Sequence, residues 1–222
     1  GNGPGFCAGL DMGSFQGMQS SDQDNTDQQG STNSLQDFSD GPANRAQKPA
    51  YAWKKLPVPV IAAIHGVAYG GGLQIALGAD IRIAAPDAKL SVMEIKWGLI
   101  PDMSITQTLR DLMPIDVAKE LTFSGRILSG QDASDLGLVT RVAENPLEAA
   151  MALAKEIAGK NPDAIRFGKQ LFEESWHADE ATGLAMESRL QTTLSGTENQ
   201  LEAIKANFEN RSPAFGPATL KA

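Results

Sequence analysis

Two glycine-rich turns are the features of this 222-residue sequence whose residue types and spacing could carry chemistry. Gly70-Gly71-Gly72 lies between a short apolar run and residues 73–78, and is therefore predicted to join a buried strand to a helix. Glycines allow positive φ and let the backbone approach a ligand closely. The free N–H groups at a helix start would point at that ligand. The alternative is a tight strand-to-helix turn without a ligand.

The residues around the glycines indicate which kind of ligand fits. No Gly-Lys-Ser/Thr follows the turn and the GxGxxG spacing is absent, so a nucleotide phosphate is disfavoured. A developing oxyanion suits such a loop better. The opening Gly5-Phe6-Cys7-Ala8-Gly9-Leu10-Asp11 is a second turn of small residues, whose N–H groups could converge with those near Gly71. Cys7, His65 and His177 share no metal-ligand spacing, so no metal site is predicted.

Composition and charge exclude several classes of protein. The chain is 41% hydrophobic and 21% charged, which argues against collagen-like, fully disordered and disulfide-scaffold chains. Its net charge of −8 disfavours nucleic acid and anionic membranes as partners, because the long-range field repels them. The single cysteine cannot form an internal disulfide, and no apolar run approaches the roughly 20 residues that span a bilayer. The sequence therefore predicts a cytoplasmic chain.

The elements that must position the turns form a parallel α/β unit. Residues 58–65 and 79–85 are predicted strands, and the helix over 73–78 lies between them, which implies parallel pairing with a right-handed crossover. Residues 67–69 are predicted to belong to the turn. Ser129 or Asp132 is a candidate cap for a later helix. Further helices are predicted at 105–112, 115–123, 146–159, 162–177 and most of 180–210, with a last strand at 138–142.

One long segment is predicted to have no regular structure. Residues 14–50 consist mainly of Ser, Gln, Asp, Asn and Gly, and cannot bury enough apolar surface to offset their ordering entropy. We expect a mobile polar loop there, within a core domain over residues 1–145. Residues 146–222 are expected to form a C-terminal helical region.

Several motifs together resemble the enoyl-CoA hydratase/isomerase (crotonase) family. The resemblance covers nearly the whole chain except 14–50. It is carried by Gly5-Phe6-Cys7-Ala8-Gly9-Leu10-Asp11, Pro59-Val60-Ile61-Ala62-Ala63-Ile64-His65-Gly66, Gly70-Gly71-Gly72, Ala79-Asp80-Ile81, Ser124-Gly125-Arg126, Gly137-Leu138-Val139 and Lys205-Ala206-Asn207-Phe208.

The resemblance implies a fold, an assembly and a substrate. The fold would be the crotonase ββα spiral with a C-terminal helical trimerisation region, assembled as a homotrimer or as a hexamer built from two trimers. Family members begin with further strands before the Ala8 turn, so N-terminal strands are expected to be missing here. The N–H groups of Ala8 and Gly71 would hold the thioester carbonyl of an acyl-CoA as it becomes an enolate. CoA would enter as part of the substrate, with no metal or redox cofactor.

The resemblance also implies which carboxylates act. The family's hydratases carry two glutamates, but here the first position is Gln74, which cannot transfer a proton, and the second is Glu94. A single carboxylate can shift a double bond, so an enoyl-CoA isomerase with Glu94 as base is predicted. Asp102 matches the second carboxylate of the dienoyl-CoA isomerases. Lys205 matches a lysine that reaches CoA.

Alternatives stay open for each of these residues and for the activity. Glu94 could form a surface salt bridge, Asp102 could cap the helix near Ile105, and Lys205 could lie on a solvated helix face. The chain could instead be an enoyl-CoA hydratase that adds water to a 2-enoyl-CoA. It could also be a catalytically weak protein that binds CoA thioesters.

Overall fold

A computed structural model describes residues 1–9 and 35–220, and these residues divide into two compact units. The first unit comprises Gly1–Lys55 and Val60–Ala150, and the second comprises Leu56–Pro59 and Met151–Ala222. The predicted loop at residues 14–34 lies outside the described residues.

The first unit alternates short strands and short helices. Its strands are β1 (Ile61–Ile64), β2 (Val67–Tyr69), β3 (Ile81–Ala84), β4 (Lys89–Ser91), β5 (Leu128–Ser129) and β6 (Arg141–Val142). Its helices are α1 (Lys48–Lys55), α2 (Gly71–Leu77), α3 (Ile105–Thr108), α4 (Ile115–Ser124) and α5 (Gly130–Asp135), with 3₁₀ turns at Glu94–Trp97 and Leu109–Asp111. Helix α6 (Pro146–Ala158) runs across the boundary. The second unit contains α7 (Pro162–Ser175), α8 (Glu180–Leu194) and α9 (Glu198–Phe208).

The predicted parallel strand–helix–strand unit is confirmed. β1 pairs with β3 in parallel from Ile61 opposite Ile81 to Ile64 opposite Ala84, and β6 extends this sheet along the other edge of β3. The apolar side chains of these strands face a core in which Ile64 and Ile83 are fully buried. Helix α2 connects β1 and β3 by way of β2 and carries the triple glycine at its start.

The prediction that residues 67–69 are part of a turn is wrong. They form β2, which pairs in parallel with β4, while β5 pairs antiparallel on the far side of β4. Ala68 is fully buried and also forms a parallel bridge with Cys7. Three residues are too few to show the alternation of a strand, so backbone pairing with neighbours distant in sequence decides this element.

Two further boundaries differ from the prediction. Helix α1 begins at Lys48, so residues 48–50 are helical although the segment 14–50 was predicted as a loop. Ala50 is fully buried there, in close contact with Gly78 after α2. The strand predicted at 138–142 shortens to Arg141–Val142, because the N–H groups of Leu138 and Val139 both donate to the carbonyl of Ala133 in α5.

The helix ends follow local side-chain chemistry. Ser129 caps α5, and its hydroxyl accepts from the N–H of Asp132 while the Asp132 carboxylate accepts from the Ser129 N–H. The long helix predicted over 180–210 is interrupted between α8 and α9, where Gly196 adopts a positive φ of 79°.

A buried carboxylate fastens the C-terminal segment of the second unit. Asp163 Oδ1 accepts from the N–H groups of Thr219 and Leu220, both at 2.9 Å, and Oδ2 accepts from the Asn199 side chain at 3.2 Å. Burial acts to raise the pKa of Asp163, but these hydrogen bonds outweigh it and hold the pKa below its usual value.

Candidate active site

A cavity of about 410 Å³ in the first unit brings together four of the five predicted site residues. Ala8, Gly71, Glu94 and Asp102 all line it. The other lining residues are Cys7, Gly9, Tyr69, Gly70, Gly72, Ile75, Met93, Trp97, Leu99, Ile100 and Met103. Lys205 is an exposed residue of α9 in the second unit, and its role toward CoA stays a prediction.

Backbone pairing joins the turn at Ala8 to the start of α2. The Cys7 N–H donates to Val67 O and the Tyr69 N–H donates to Cys7 O, each at 3.0 Å. A Cβ on Gly9 would lie 2.8 Å from Tyr69 O and 3.6 Å from Gly71 N, so only glycine permits this approach. The two small-residue turns therefore meet at the cavity, as the sequence predicted.

The triple glycine shapes the cavity on the side of Glu94. Gly70 has a φ of 51° and a ψ of −122°, and a Cβ there would lie 3.2 Å from Glu94 Oε1. A Cβ on Gly71 would lie 2.8 Å from Met103 Sδ. Gly71 is the first residue of α2, so its N–H has no acceptor within the helix.

Glu94 is a half-buried carboxylate with one hydrogen-bonded oxygen. It begins the 3₁₀ turn after β4, and its Oε1 accepts from Gln74 Nε2 at 2.6 Å. Its Oε2 is buried and has no hydrogen-bond partner within the part of the chain that the structure describes. The partner of Glu94 is thus an amide, and the alternative of a surface salt bridge is wrong.

The surroundings of Glu94 favour its protonated form. Burial is the main cause that raises the pKa of this carboxyl, and hydrogen bonds, including the one from Gln74, partly offset it. The negative charge of Asp102 raises the pKa further. A carboxylate whose pKa is raised in this way is a stronger base than an exposed glutamate once it is ionised.

Asp102 is exposed at the cavity and does not cap a helix. Helix α3 begins at Ile105, and Ser104 occupies the N-cap position with a φ of 64° and no side-chain capping bond. The alternative that Asp102 caps this helix is therefore wrong. Since Asp102 lines the same cavity as Glu94, two carboxylates face one space.

Sequence reasoning missed the residues that fix this arrangement. Gln74 is only 1% exposed, and its Oε1 accepts from the Met103 N–H at 2.8 Å. The available signal was a single polar residue within an otherwise apolar stretch of α2, Gly71–Leu77. A buried polar side chain in such a stretch needs hydrogen-bond partners, and here they are Glu94 and Met103.

Comparison with known proteins shows the family of the chain. A family model described as enoyl-CoA hydratase/isomerase matches residues 1–218. The chain belongs to the enoyl-CoA hydratase/isomerase family. The mitochondrial methylglutaconyl-CoA hydratase of Mus musculus is 40% identical over 166 residues, which cover 72% of this chain and 53% of the relative. A probable enoyl-CoA hydratase of Bacillus subtilis is 38% identical over 176 residues, 78% of this chain and 68% of the relative.

Solved structures of family members share the fold. The crystal structure of an enoyl-CoA hydratase from Bacillus anthracis superposes with a TM-score of 0.81 at 34% identity. The match covers 95% of this chain and 76% of that chain. The predicted α/β crotonase-type fold with a C-terminal helical region is thereby confirmed. The chain spans about half the length of the mouse relative. No helix among the described residues is long and apolar enough to cross a membrane.

Proposed function

We propose that this chain moves a double bond in an enoyl-CoA or dienoyl-CoA thioester, with Glu94 as the base. The observation that carries the proposal is the placement of Glu94 at the cavity, with Oε1 held by Gln74 and Oε2 without a partner among the described residues. The hydrogen-bonded amide cannot transfer a proton, so the carboxylate of Glu94 does the acid–base work.

The N–H groups of Ala8 and Gly71 bind the thioester carbonyl oxygen of the substrate. Ionised Glu94 removes a proton from C2 of a 3-enoyl-CoA, and negative charge develops on that oxygen. One preorganised donor of this kind is worth roughly 3 kcal/mol of barrier. The same carboxyl, whose proton exchanges with solvent, then protonates C4, and the double bond moves from C3–C4 to C2–C3.

A conjugated substrate would use the second carboxylate. With a 3,5-dienoyl-CoA, Glu94 removes the C2 proton, and Asp102 passes a proton taken from solvent to C6, which gives the 2,4-dienoyl product. Asp102 supports this proposal because it lines the same cavity and its charge acts on Glu94. CoA enters and leaves as part of the substrate, and neither reaction uses a metal or redox cofactor.

Hydration of a 2-enoyl-CoA is the second candidate, favoured by the names of the relatives. Addition of water needs a base for the water and an acid for C2. In this chain Glu94 and Asp102 would have to share these roles, because Gln74 cannot take either. A catalytically weak CoA-thioester-binding protein is the third candidate.

Three substrates separate these candidates. Absorbance follows the conjugation gained from 3-enoyl-CoA, the extended conjugation gained from 3,5-dienoyl-CoA, and the conjugation lost when 2-enoyl-CoA is hydrated. We expect the wild-type chain to turn over a 3-enoyl or 3,5-dienoyl substrate, and we expect Glu94→Gln to abolish this activity. The control Glu144→Gln removes the same charge at an exposed position and should retain the activity. Hydration unaffected by Glu94→Gln would contradict the proposal, and tight binding of thioesters without any turnover would establish the third candidate.

The assembly of the chain is a separate proposal. The resemblance favours a homotrimer or a dimer of trimers, and sedimentation equilibrium distinguishes both from a monomer.

A further inference from the structure

Gln74 is buried between the base and the wall of the cavity. Its side chain is only 1% exposed, its Nε2 donates to Glu94 Oε1 at 2.6 Å, and its Oε1 accepts from the Met103 N–H at 2.8 Å. Both polar atoms of the amide are therefore used, which is the condition for burying it without a large penalty.

The backbone of Met103 decides which way the amide faces. A backbone N–H can only donate, so the amide atom next to Met103 must be the oxygen. The NH₂ group must then face Glu94. The donated hydrogen bond occupies Oε1 of the carboxylate and leaves Oε2 without a partner in the described residues.

Helix α2 carries both Gln74 and Gly71. Met103, whose N–H is bonded to Gln74, also contacts the glycine turn at Gly71. A Cβ on Gly71 would lie 2.8 Å from Met103 Sδ, so Met103 packs directly on the glycine that supplies an oxyanion donor. The Gln74 side chain thus connects the base to the segment that contains Asp102, and the Met103 side chain of that segment contacts the oxyanion turn.

We propose that Gln74 is a positioning residue that fixes the carboxylate of Glu94 at the cavity and anchors the segment 102–103 beside it. This inference rests on the proposed function, because it assigns how the base of that reaction is held. Gln74 does not touch the substrate's reacting atoms and acts through Glu94. The hydrogen bond from Gln74 also lowers the pKa of Glu94, against the effects of burial and of Asp102.

Two substitutions separate the two hydrogen bonds of Gln74. Gln74→Met keeps the length of the side chain and removes both bonds. Gln74→Glu keeps an acceptor for the Met103 N–H but replaces the donor to Glu94 with a second carboxylate, so that the two groups must share a proton. Gln191→Glu adds the same charge at an exposed position of α8 and serves as the control.

The readouts are the pH profile of kcat/KM for a 3-enoyl-CoA and the pKa of Glu94 followed by NMR of carboxyl-labelled glutamate. We expect the acidic limb of the profile and the NMR pKa to move upward by about one pH unit or more in Gln74→Glu, since two carboxylates in hydrogen-bond contact cannot both ionise freely. In Gln74→Met we expect a smaller upward shift together with a fall in kcat of about 10- to 100-fold, because Glu94 loses the hydrogen bond that holds its carboxylate in place.

A merely structural Gln74 would lower thermal stability without moving either readout, and that result would overturn the inference. An unchanged pKa of Glu94 in Gln74→Glu would overturn it as well. If the wild-type chain lacks isomerase activity but the NMR pKa shifts as expected, the proposed reaction fails while the placement of Glu94 by Gln74 stands.

Discussion

Replacement of Gly70 by alanine tests whether the backbone of the triple glycine sets the position of the base. Gly70 has a φ of 51° and a ψ of −122°, a conformation that L-residues rarely adopt and that costs about 1–3 kcal/mol. The new Cβ would lie 3.2 Å from Glu94 Oε1 and 3.6 Å from its Cδ, so the carboxylate must move by a few tenths of an ångström. We therefore expect Gly70→Ala to lower both stability and turnover.

The magnitudes follow from these two effects. A loss of about 2 kcal/mol lowers the melting temperature of a chain of this size by roughly 4–8 °C. A misplacement of 1 Å can cost about 100-fold in rate, so a smaller displacement of Glu94 is expected to reduce kcat about tenfold. Calorimetry and the 3-enoyl-CoA absorbance assay measure the two quantities.

Gly196→Ala is the matched control for this experiment. Gly196 also has a positive φ, 79°, but a Cβ there meets nothing within 4 Å. We expect it to lower the melting temperature without changing kcat. Equal kcat in Gly70→Ala and Gly196→Ala would refute the claim that Gly70 holds space for Glu94.

The pKa of Glu94 is raised in the folded state, so the protonated carboxyl contributes stability at low pH, and this contribution is lost as pH rises through the folded pKa. Glu94→Gln should therefore raise the melting temperature at pH 8 but not at pH 4. An equal change in melting temperature at both pH values would contradict this. Asp102→Asn removes a charge that raises the pKa of Glu94, so the acidic limb of kcat/KM should move to lower pH, and an upward shift would count against it. The pKa of Asp163 is lowered in the folded state, so the stability it contributes is present above the unfolded-state pKa and is lost as pH falls through the folded pKa. Asp163→Asn should lower the free energy of unfolding in urea by about 1–3 kcal/mol at pH 7 and by less near pH 3. No loss at pH 7 would show that the hydrogen bonds to Thr219 and Leu220 contribute nothing. The cavity combines apolar side chains with two carboxylates, which disfavour a negatively charged acyl chain. The kcat/KM for 3-hexenoyl-CoA should therefore be at least about tenfold higher than that for 3-hexenedioyl-CoA. Equal values would show that the charge of the acyl chain does not matter.

The elements with strong local signals could be predicted from the sequence. The apolar runs of β1 and β3, the glycine turn before α2 and the helix cap at Ser129 or Asp132 each depend on neighbouring residues. The structure confirms the runs and the turn and selects Ser129 as the cap. The short strand β2 could not be predicted in this way, because its three residues gain their structure from pairing with Cys7 and β4.

The candidate site likewise combines residues that the sequence indicates with contacts that it does not. The resemblance brought Ala8, Gly71, Glu94 and Asp102 to attention, and the structure places them around one cavity. The role of Gln74 depends on the Met103 N–H, which lies 29 positions further along the chain and whose direction no sequence pattern reveals. Packing in three dimensions supplies that information.

The central claim is that Glu94 generates an enolate at C2 of a thioester held by Ala8 and Gly71. Incorporation of deuterium from D₂O during reaction of a 3-enoyl-CoA, followed by NMR, measures that proton transfer directly. We expect incorporation by the wild-type chain and by Glu144→Gln, and a rate at least about 100-fold lower in Glu94→Gln. Incorporation by Glu94→Gln at the wild-type rate would contradict it.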